Sequence, residues 1–308
     1  MSGQEFWNFT VVGLVSGSIY AVIALGYTLV YGVLQLINFA HSEVFMLGSM
    51  GGLFMARALL PAGSPSVVQS VGIMVAGLVV GALSGGAAAF ALERTAYRPL
   101  RRRGAPKLAY LISAIGASLF ASNLAGKEFG RQDISLSPVF DYNHVVFTIF
   151  GAAVRALDLV IIGVGLLMLL FLDRLVAVTR LGQSIRAVAQ DAETASLMGV
   201  NVERVIITTF VLGGLLAGAG GFLYAAKFSA SYNMGFLPGI TAFSAAVLGG
   251  IGNVRGAVLG GLLLGLVKSY STKLIGAGYV DVVGFLALVL VLLIRPSGLL
   301  GERLGRAA

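Results

Sequence analysis

An all-α, polytopic bundle of transmembrane helices is the fold class this sequence predicts, and three observations predict it. Hydrophobic residues make up 57% of the 308 positions and charged ones only 11%, with a mean hydropathy of +0.93, far more apolar than a soluble domain. The apolar residues gather into about eight segments, most of them near the roughly 20 residues a helix needs to cross a bilayer. Many of the 43 glycines fall in small-xxx-small pairs, among them Gly13/Gly17, Gly48/Gly52, Gly77/Gly81/Gly85, Gly214/Gly218, Gly256/Gly260 and Gly261/Gly265. That spacing lets helix backbones approach closely in lipid. One membrane domain over 1–308 is expected, with some segments broken or re-entrant.

The first apolar run, near 9–31, follows MSGQEFWN, which has no Lys or Arg and so lacks the basic start of a cleavable signal peptide. It is expected to remain as the first span. Region 33–60 is apolar but interrupted by Asn38, His41, Ser42 and Glu43. Spans near 67–92 and 108–126 flank a short loop crowded with Arg94, Arg98, Arg101, Arg102, Arg103 and Lys107, which the positive-inside rule places in the cytoplasm. Segment 127–158 is expected outside, because Glu128, Asp133, Asp141 and Asp158 outnumber Lys127, Arg131 and Arg155. A span near 156–173 returns to a second basic loop, marked by Arg174, Arg180, Arg186 and Arg204, and a span near 205–226 leaves again.

The last span, near 279–294, precedes Arg295, Arg303 and Arg306, which mark a cytoplasmic C-terminus. A single crossing over 240–273 would put those arginines outside. A re-entrant pair of half-helices is therefore expected there, broken at GGIGN, Gly249–Asn253. For 33–60 two alternatives stand: a re-entrant segment places the N-terminus inside, a full span places it outside. The absence of basic residues before residue 57 favours outside. No repeat is visible in the sequence, yet two interrupted regions, one per half, fit an old duplication.

Between two spans lies GQSIRAVAQDAETASLMG, residues 182–199, a polar, Ala-rich island of helix formers bounded by Gly182 and Gly199. At helical spacing Ile185, Val188, Ala192 and Ala195 fall on one side, and Arg186, Gln190 and Glu193 on another. Such a helix either lies on its own bundle or offers a face to a partner.

The chain has no Cys, which excludes disulfides, thiolate metal sites and Cys nucleophiles. His41 and His144 are its two imidazoles, and His41-Ser42-Glu43 is not the HExxH pattern of zinc hydrolases. Asn38, His41 and Glu43 either line a polar pathway or satisfy one another and the backbone of a broken helix. Gly249, Gly250 and Gly252 permit sharp backbone turns, Asn253 can cap the helix that follows, and Arg255 either binds a carboxylate or snorkels to an interface. Gly126-Lys127 is followed by Glu128 and preceded at 121 by Ala, so no phosphate-cradling loop forms and any ATP must be bound by another subunit. The formal charge of +8 resides in loops beside spans, where it orients the chain rather than binding nucleic acid.

An ion-coupled carrier or channel is the alternative function. It would call for paired intramembrane acids, whereas Glu43 stands nearly alone and Asp281 sits near a span end. An intramembrane enzyme would need a nucleophile and base within reach, and His41 is the one candidate base.

Four segments, LGYTLVYGVLQLINFAHSEVFMLGSM (25–50), GQSIRAVAQDAETASLMGV (182–200), AAVLGGIGNVRGAVLGGLLLG (245–265) and RPSGLLG (295–301), occur in the order seen in a known family. The chain resembles LivH-type permease subunits of branched-chain amino acid ABC importers over essentially its whole length. It departs from them at Ser42, where the resemblance leads one to expect Gly, a change that bears on what is transported.

The resemblance implies a transport subunit and not an enzyme. It implies that Ile185, Arg186, Val188, Ala189, Ala192, Glu193, Ala195 and Gly199 form the segment that couples to an ATPase. It further implies a second related permease, two ATPase subunits that carry ATP and Mg, and a periplasmic binding protein. All would work at a bacterial inner membrane, with no cofactor or metal on this chain. The candidate substrate pathway is the two interrupted regions: Asn38, His41, Ser42 and Glu43, and Gly249, Gly250, Gly252 and Asn253.

Overall fold

The computed structural model describes residues 2–36, 38–61, 63, 65–136 and 145–301; Asp141, His144, Arg303 and Arg306 lie outside them. Helix α1, Gly3–Leu34, opens on a capping box: Ser2 Oγ accepts from the Glu5 N–H at 3.2 Å and Glu5 Oε2 accepts from the Ser2 N–H at 3.1 Å. It ends where Gln35 turns left-handed at φ 50°. Helix α2 is His41–Ala58. Ser66 and Gln69 repeat the capping box ahead of α3, Val67–Leu92, which runs through a π turn at Glu93–Tyr97 into α4, Arg98–Arg102. Helix α5 is Lys107–Glu128. A hairpin of β1, Val145–Ile149, and β2, Ala152–Arg155, precedes α6, Ala156–Val178. Then come α7, Arg180–Gln190, α8, Ala192–Leu197, and α9, Val202–Lys227. Last are α10, Phe236–Gly249, α11, Val254–Leu274, and α12, Val280–Ile294.

Among the described residues, six helical stretches are long and apolar enough to cross a membrane: α1, the rod Val67–Arg102, α5, α6, α9 and Ala277–Ile294. They coincide with the six uninterrupted spans expected from the sequence, because sustained apolarity is what a helix in lipid requires. The hairpin departs from the all-α expectation within 127–158. It covers one end of α1, where Gln4 Nε2 donates to the Gly151 carbonyl at 3.1 Å and Trp7 stacks on Phe150 at 5.0 Å.

Glycine-lined seams hold the bundle, and two of them show how. Along the first, α1 and α11 run antiparallel so closely that a Cβ on Gly13 would stand 2.9 Å from Leu266 Cα. Polar bonds continue that seam, from Ser269 Oγ to the Phe9 carbonyl at 2.7 Å and from Lys273 Nζ to Glu5 at 2.8 Å. Along the second, α3 meets α9, and a Cβ on Gly85 would stand 2.7 Å from Gly218 Cα. Such contact supplies dispersion and packing where lipid offers no hydrophobic drive.

The halves α1–α2–α3 and α9–α10–α11 mirror one another. Each has a long helix, a non-helical stretch, a shorter helix that starts inside the bundle, and another long helix. Helix α2 starts level with Gly26 of α1, and α10 starts beside Ser42 and Glu43. In this correspondence the stretch 35–40 is matched by 228–235, which lies ahead of the interrupted region 240–273 expected from the sequence, and the two halves have the inverted sense common among transporters.

Both interrupted regions differ from a re-entrant reading. Region 33–60 is one broken crossing: α1 ends near α7, and α2 ends at the opposite face, where Arg57 donates to the Ser135 carbonyl at 2.8 Å. Region 240–273 is a deep hairpin whose second arm is no half-helix, since α11 follows α1 from Gly32 to Glu5. Its glycine face and the partners of its lysines sustain a full-length helix. The break at Gly249–Asn253 therefore sits at the end of the bundle that carries the arginines of α4, not at mid-depth.

Candidate functional site

Where the chain re-enters the bundle at 38–43, most of its polar groups are committed to holding the break. Asn38 Oδ1 accepts from the Tyr97 hydroxyl at 2.9 Å, and Ser42 Oγ donates to the Phe39 carbonyl at 2.7 Å. His41 is buried, lies edge-on to Tyr27 with ring centroids 4.6 Å apart, and presses on Gly26, where any Cβ would strike its ring. Tyr27, Tyr31, Asn38, His41, Phe243 and Ile251 line a narrow cleft with about 10 Å³ for the centre of a water molecule, room for about one water.

Glu43 and His41 each keep a buried polar atom without a hydrogen-bond partner among the described residues, Glu43 Oε2 and His41 Nε2. Glu43 is 4% exposed, and its Oε1 accepts from Ser118 Oγ of α5 at 3.0 Å. Its free Oε2 faces the start of α10, 2.8 Å from where a Cβ on Gly235 would stand. A helix N-terminus carries a partial positive charge, so the carboxylate lies where an anionic group is stabilised. Gly235 and Gly239 leave the space that Ser42 and Glu43 fill.

The second candidate cluster lies elsewhere. Gly250 has φ 108° and Gly252 φ 95°, conformations that favour glycine. The turn is clasped by the residues that follow α12, with Leu299 N–H to the Leu248 carbonyl and Leu300 N–H to the Gly249 carbonyl, both at 2.9 Å. Asn253 caps α11 as expected, its Oδ1 accepting from the Gly256 N–H at 3.0 Å, and its Nδ2 donates to the Leu300 carbonyl at 2.9 Å. Arg255 forms a two-pronged pair with Asp173 of α6 at 3.1 Å. The two clusters touch through one residue of the turn, Ile251, in the cleft beside Asn38 and His41.

The polar island forms two helices rather than one. Thr179 joins α6 to α7, its Oγ1 donating to the Leu175 carbonyl at 2.6 Å and accepting from the Gly182 N–H at 3.0 Å. Arg186 reaches back to the Val176 carbonyl, satisfying an end group of α6. The chain breaks at Asp191, whose Oδ1 caps α8 by accepting from the Glu193 N–H at 2.9 Å and the Thr194 N–H at 3.3 Å. The Thr194 hydroxyl, followed by those two backbone N–H groups, holds the Asp191 carboxyl below its ordinary pKa.

Ile185, Val188 and Ala195 are buried against the bundle and Ala189 is half-buried, whereas Arg186, Ala192, Glu193 and Gly199 are exposed. Ala192 is thus separated from the side it was expected to share, because the break at Asp191 resets the helical phase. Gln35 Nε2 ties α1 to the Ala189 carbonyl at 3.4 Å.

Sequence reasoning missed Leu197 and Met198, which stand 82% and 81% exposed. Their adjacent apolar side chains just before Gly199 were the available signal. It also missed Gly235/Gly239, whose four-residue spacing matches the small-xxx-small pattern. Tyr97 and Ser118 carried no local signal. Among the intramembrane acids, Asp281 pairs with Lys268 at 2.7 Å and Glu43 with Ser118, so the two are not brought together.

A family profile described as "Branched-chain amino acid transport system / permease component" matches residues 9–294. The high-affinity branched-chain amino acid transport system permease protein LivH of Escherichia coli K12 is 41% identical over 304 residues, covering 97% of this chain and 95% of that one. BraD of Pseudomonas aeruginosa, of the same description, is 40% identical over 293 residues, covering 94% of each. Of solved structures, PsaBC from Streptococcus pneumoniae in complex with Fab aligns at a TM-score of 0.43 and 15% identity over 96% of this chain and 91% of that one.

Proposed function

The chain belongs to the branched-chain amino acid transport permease family, and from that premise we propose that it is the membrane domain subunit of an ATP-driven importer carrying leucine, isoleucine and valine from periplasm to cytoplasm. Partner subunits bind ATP and Mg and hydrolyse the nucleotide. A second homologous permease completes the pathway, and a periplasmic binding protein delivers the amino acid at the bacterial inner membrane. The arginine-bearing end of the bundle faces the cytoplasm in this reading, which puts the N-terminus outside.

The observation that carries the reading is the joint at α7 and α8. Ile185, Val188 and Ala195 root these helices in the bundle, while Leu197 and Met198 project from the same end. Covering one such side chain contributes about 1.5–3 kcal/mol, enough for two of them to anchor a docking contact. A helix pair rooted so firmly transmits the closure of an ATPase dimer as rigid-body movement of α6 and α9. The energy comes from the different affinities of the partners for the two arrangements of the bundle.

Of the candidate pathway residues, Glu43 and His41 are assigned to the substrate path, because each keeps an unpartnered buried polar atom, Oε2 and Nε2. Asn38 and Ser42 secure the broken crossing around them, and Gly249, Gly250, Gly252 and Asn253 form the turn that Leu299 and Leu300 clasp. The test uses the absence of cysteine in the chain. A cysteine at Met198 should crosslink to an ATPase subunit in cells taking up leucine, with yield that changes with ATP. If no such adduct forms while uptake persists, the reading fails.

A further inference from the structure

We propose that the cleft along the π turn and α4 at the arginine-bearing end binds the phosphate of an anionic phospholipid. Arg94, Arg98, Arg102 and Arg103 line an open cleft of about 350 Å³ there. Two carboxylates answer the basic groups of this turn: Glu203 pairs with Arg98 and, at 3.6 Å, with Arg102, and buried Glu93 pairs with Arg101 at 2.7 Å. Arg94, Arg103 and Lys107 have no carboxylate partner among the described residues. The cleft therefore keeps a surplus of positive charge after its internal pairs are made.

The backbone that presents these groups is fixed. The π turn buries Glu93 and Tyr97 completely while Arg94 stays exposed. Tyr97 is tied to Asn38 and Glu93 to Arg101. A guanidinium held on such a frame offers two parallel N–H donors to phosphate oxygens with little ordering cost. π turns inside helices are often found at functional positions.

The surroundings select a lipid over a free anion. Leu83 and Phe90 lie exposed on α3 at helical spacing that leads to Arg94, and Leu108 and Ile112 lie exposed at the start of α5. A ligand with an anionic head and hydrocarbon chains meets both the arginines and this apolar border. Soluble phosphate would use the head site alone.

The full chain, with the subunits that purify with it, is reconstituted in vesicles of phosphatidylcholine and phosphatidylglycerol and re-extracted. The phosphatidylglycerol retained per chain is then counted by native mass spectrometry. Wild type should retain phosphatidylglycerol preferentially. Each arginine near an anionic headgroup contributes roughly fivefold, so Arg94→Gln with Arg103→Gln should weaken retention roughly thirtyfold. The double lysine variant, which still offers point charges, should keep most of it. Arg174→Gln with Arg295→Gln removes the same charge from the same end outside the cleft and should change nothing.

An equal loss in both glutamine pairs would reduce the effect to a diffuse field and overturn the site, as would no loss in the first pair. Displacement of phosphatidylglycerol by inorganic phosphate would assign the cleft to a soluble anion and overturn the lipid. Release of a co-purifying subunit by the first pair, with lipid retained, would make the cleft a protein contact and equally overturn it.

Discussion

Ser118 on α5 donates its hydroxyl to Glu43 Oε1 on α2 at 3.0 Å, across a sequence separation of 75 residues, and leaves the second oxygen of that carboxylate facing the first turn of α10. Three helices thus converge on one acid deep in the bundle. Helix α5 has little other attachment to that region, since its apolar face is largely exposed, so this bond is well placed to report its movement.

Glu43→Gln should lower leucine uptake at least about tenfold, because a hydrogen bond to a charged group contributes about 1.5–3 kcal/mol and the amide keeps the shape but loses the charge. Ser118→Ala removes the donor of that same bond and should cost a comparable amount, about tenfold or more. Uptake in cells with matched membrane levels is the measurement. Normal uptake by Glu43→Gln would reassign the acid to packing.

Leu197→Asp and Met198→Asp should abolish stimulation of ATP hydrolysis by substrate while leaving the melting temperature of the purified chain unchanged, since both side chains are exposed. Ala195→Arg should act differently. Its buried methyl seats α8, and a guanidinium forced there should lower stability by about 1–3 kcal/mol through overpacking. Melting curves and coupled ATPase assays on the same preparations separate the two effects.

These contrasts also mark what could be read from the sequence. The six spans were legible because lipid imposes composition on every residue of a crossing helix. The break at Gly249–Asn253 was legible because glycine is needed at φ values near 100°. The full length of α11 was not. The sidedness of Arg295 leads one to expect half-helices there, and no sequence pattern shows that Lys268 meets Thr241 Oγ1 at 3.0 Å, Asp281 at 2.7 Å and the Tyr20 ring at 5.2 Å. The contact of Glu43 with Ser118 was equally hidden, since no periodicity links positions so far apart. The phase of Ala192 was lost because one extended residue, Asp191 at φ −156°, restarts the helix.

Gly85→Leu should destabilise the chain by at least about 1–3 kcal/mol, the ordinary cost of overpacking, because its Cβ would meet backbone of α9 at Gly218. Gly163→Leu is the control: it lies in α6 with open space for 4 Å around the position a Cβ would take, so it should be neutral or stabilising by about 1 kcal/mol through helix propensity. Thermal melts in detergent test the pair. Equal shifts would show that the α3–α9 seam does not govern stability.

Acid should loosen α8 through Asp191. Hydrogen bonds from the Thr194 hydroxyl and from the Thr194 and Glu193 N–H groups lower its folded-state pKa, so the carboxylate binds a proton more weakly folded than unfolded. The cap's contribution is therefore complete above the unfolded pKa and disappears as pH falls through the lower, folded value. Hydrogen exchange at Glu193 and Thr194, corrected for intrinsic rates, should speed up selectively across that acidic window. Asp191→Asn keeps an acceptor that does not titrate and should remove the pH dependence while preserving the helix. Persistence of the same acid response in Asp191→Asn would place the titrating group elsewhere.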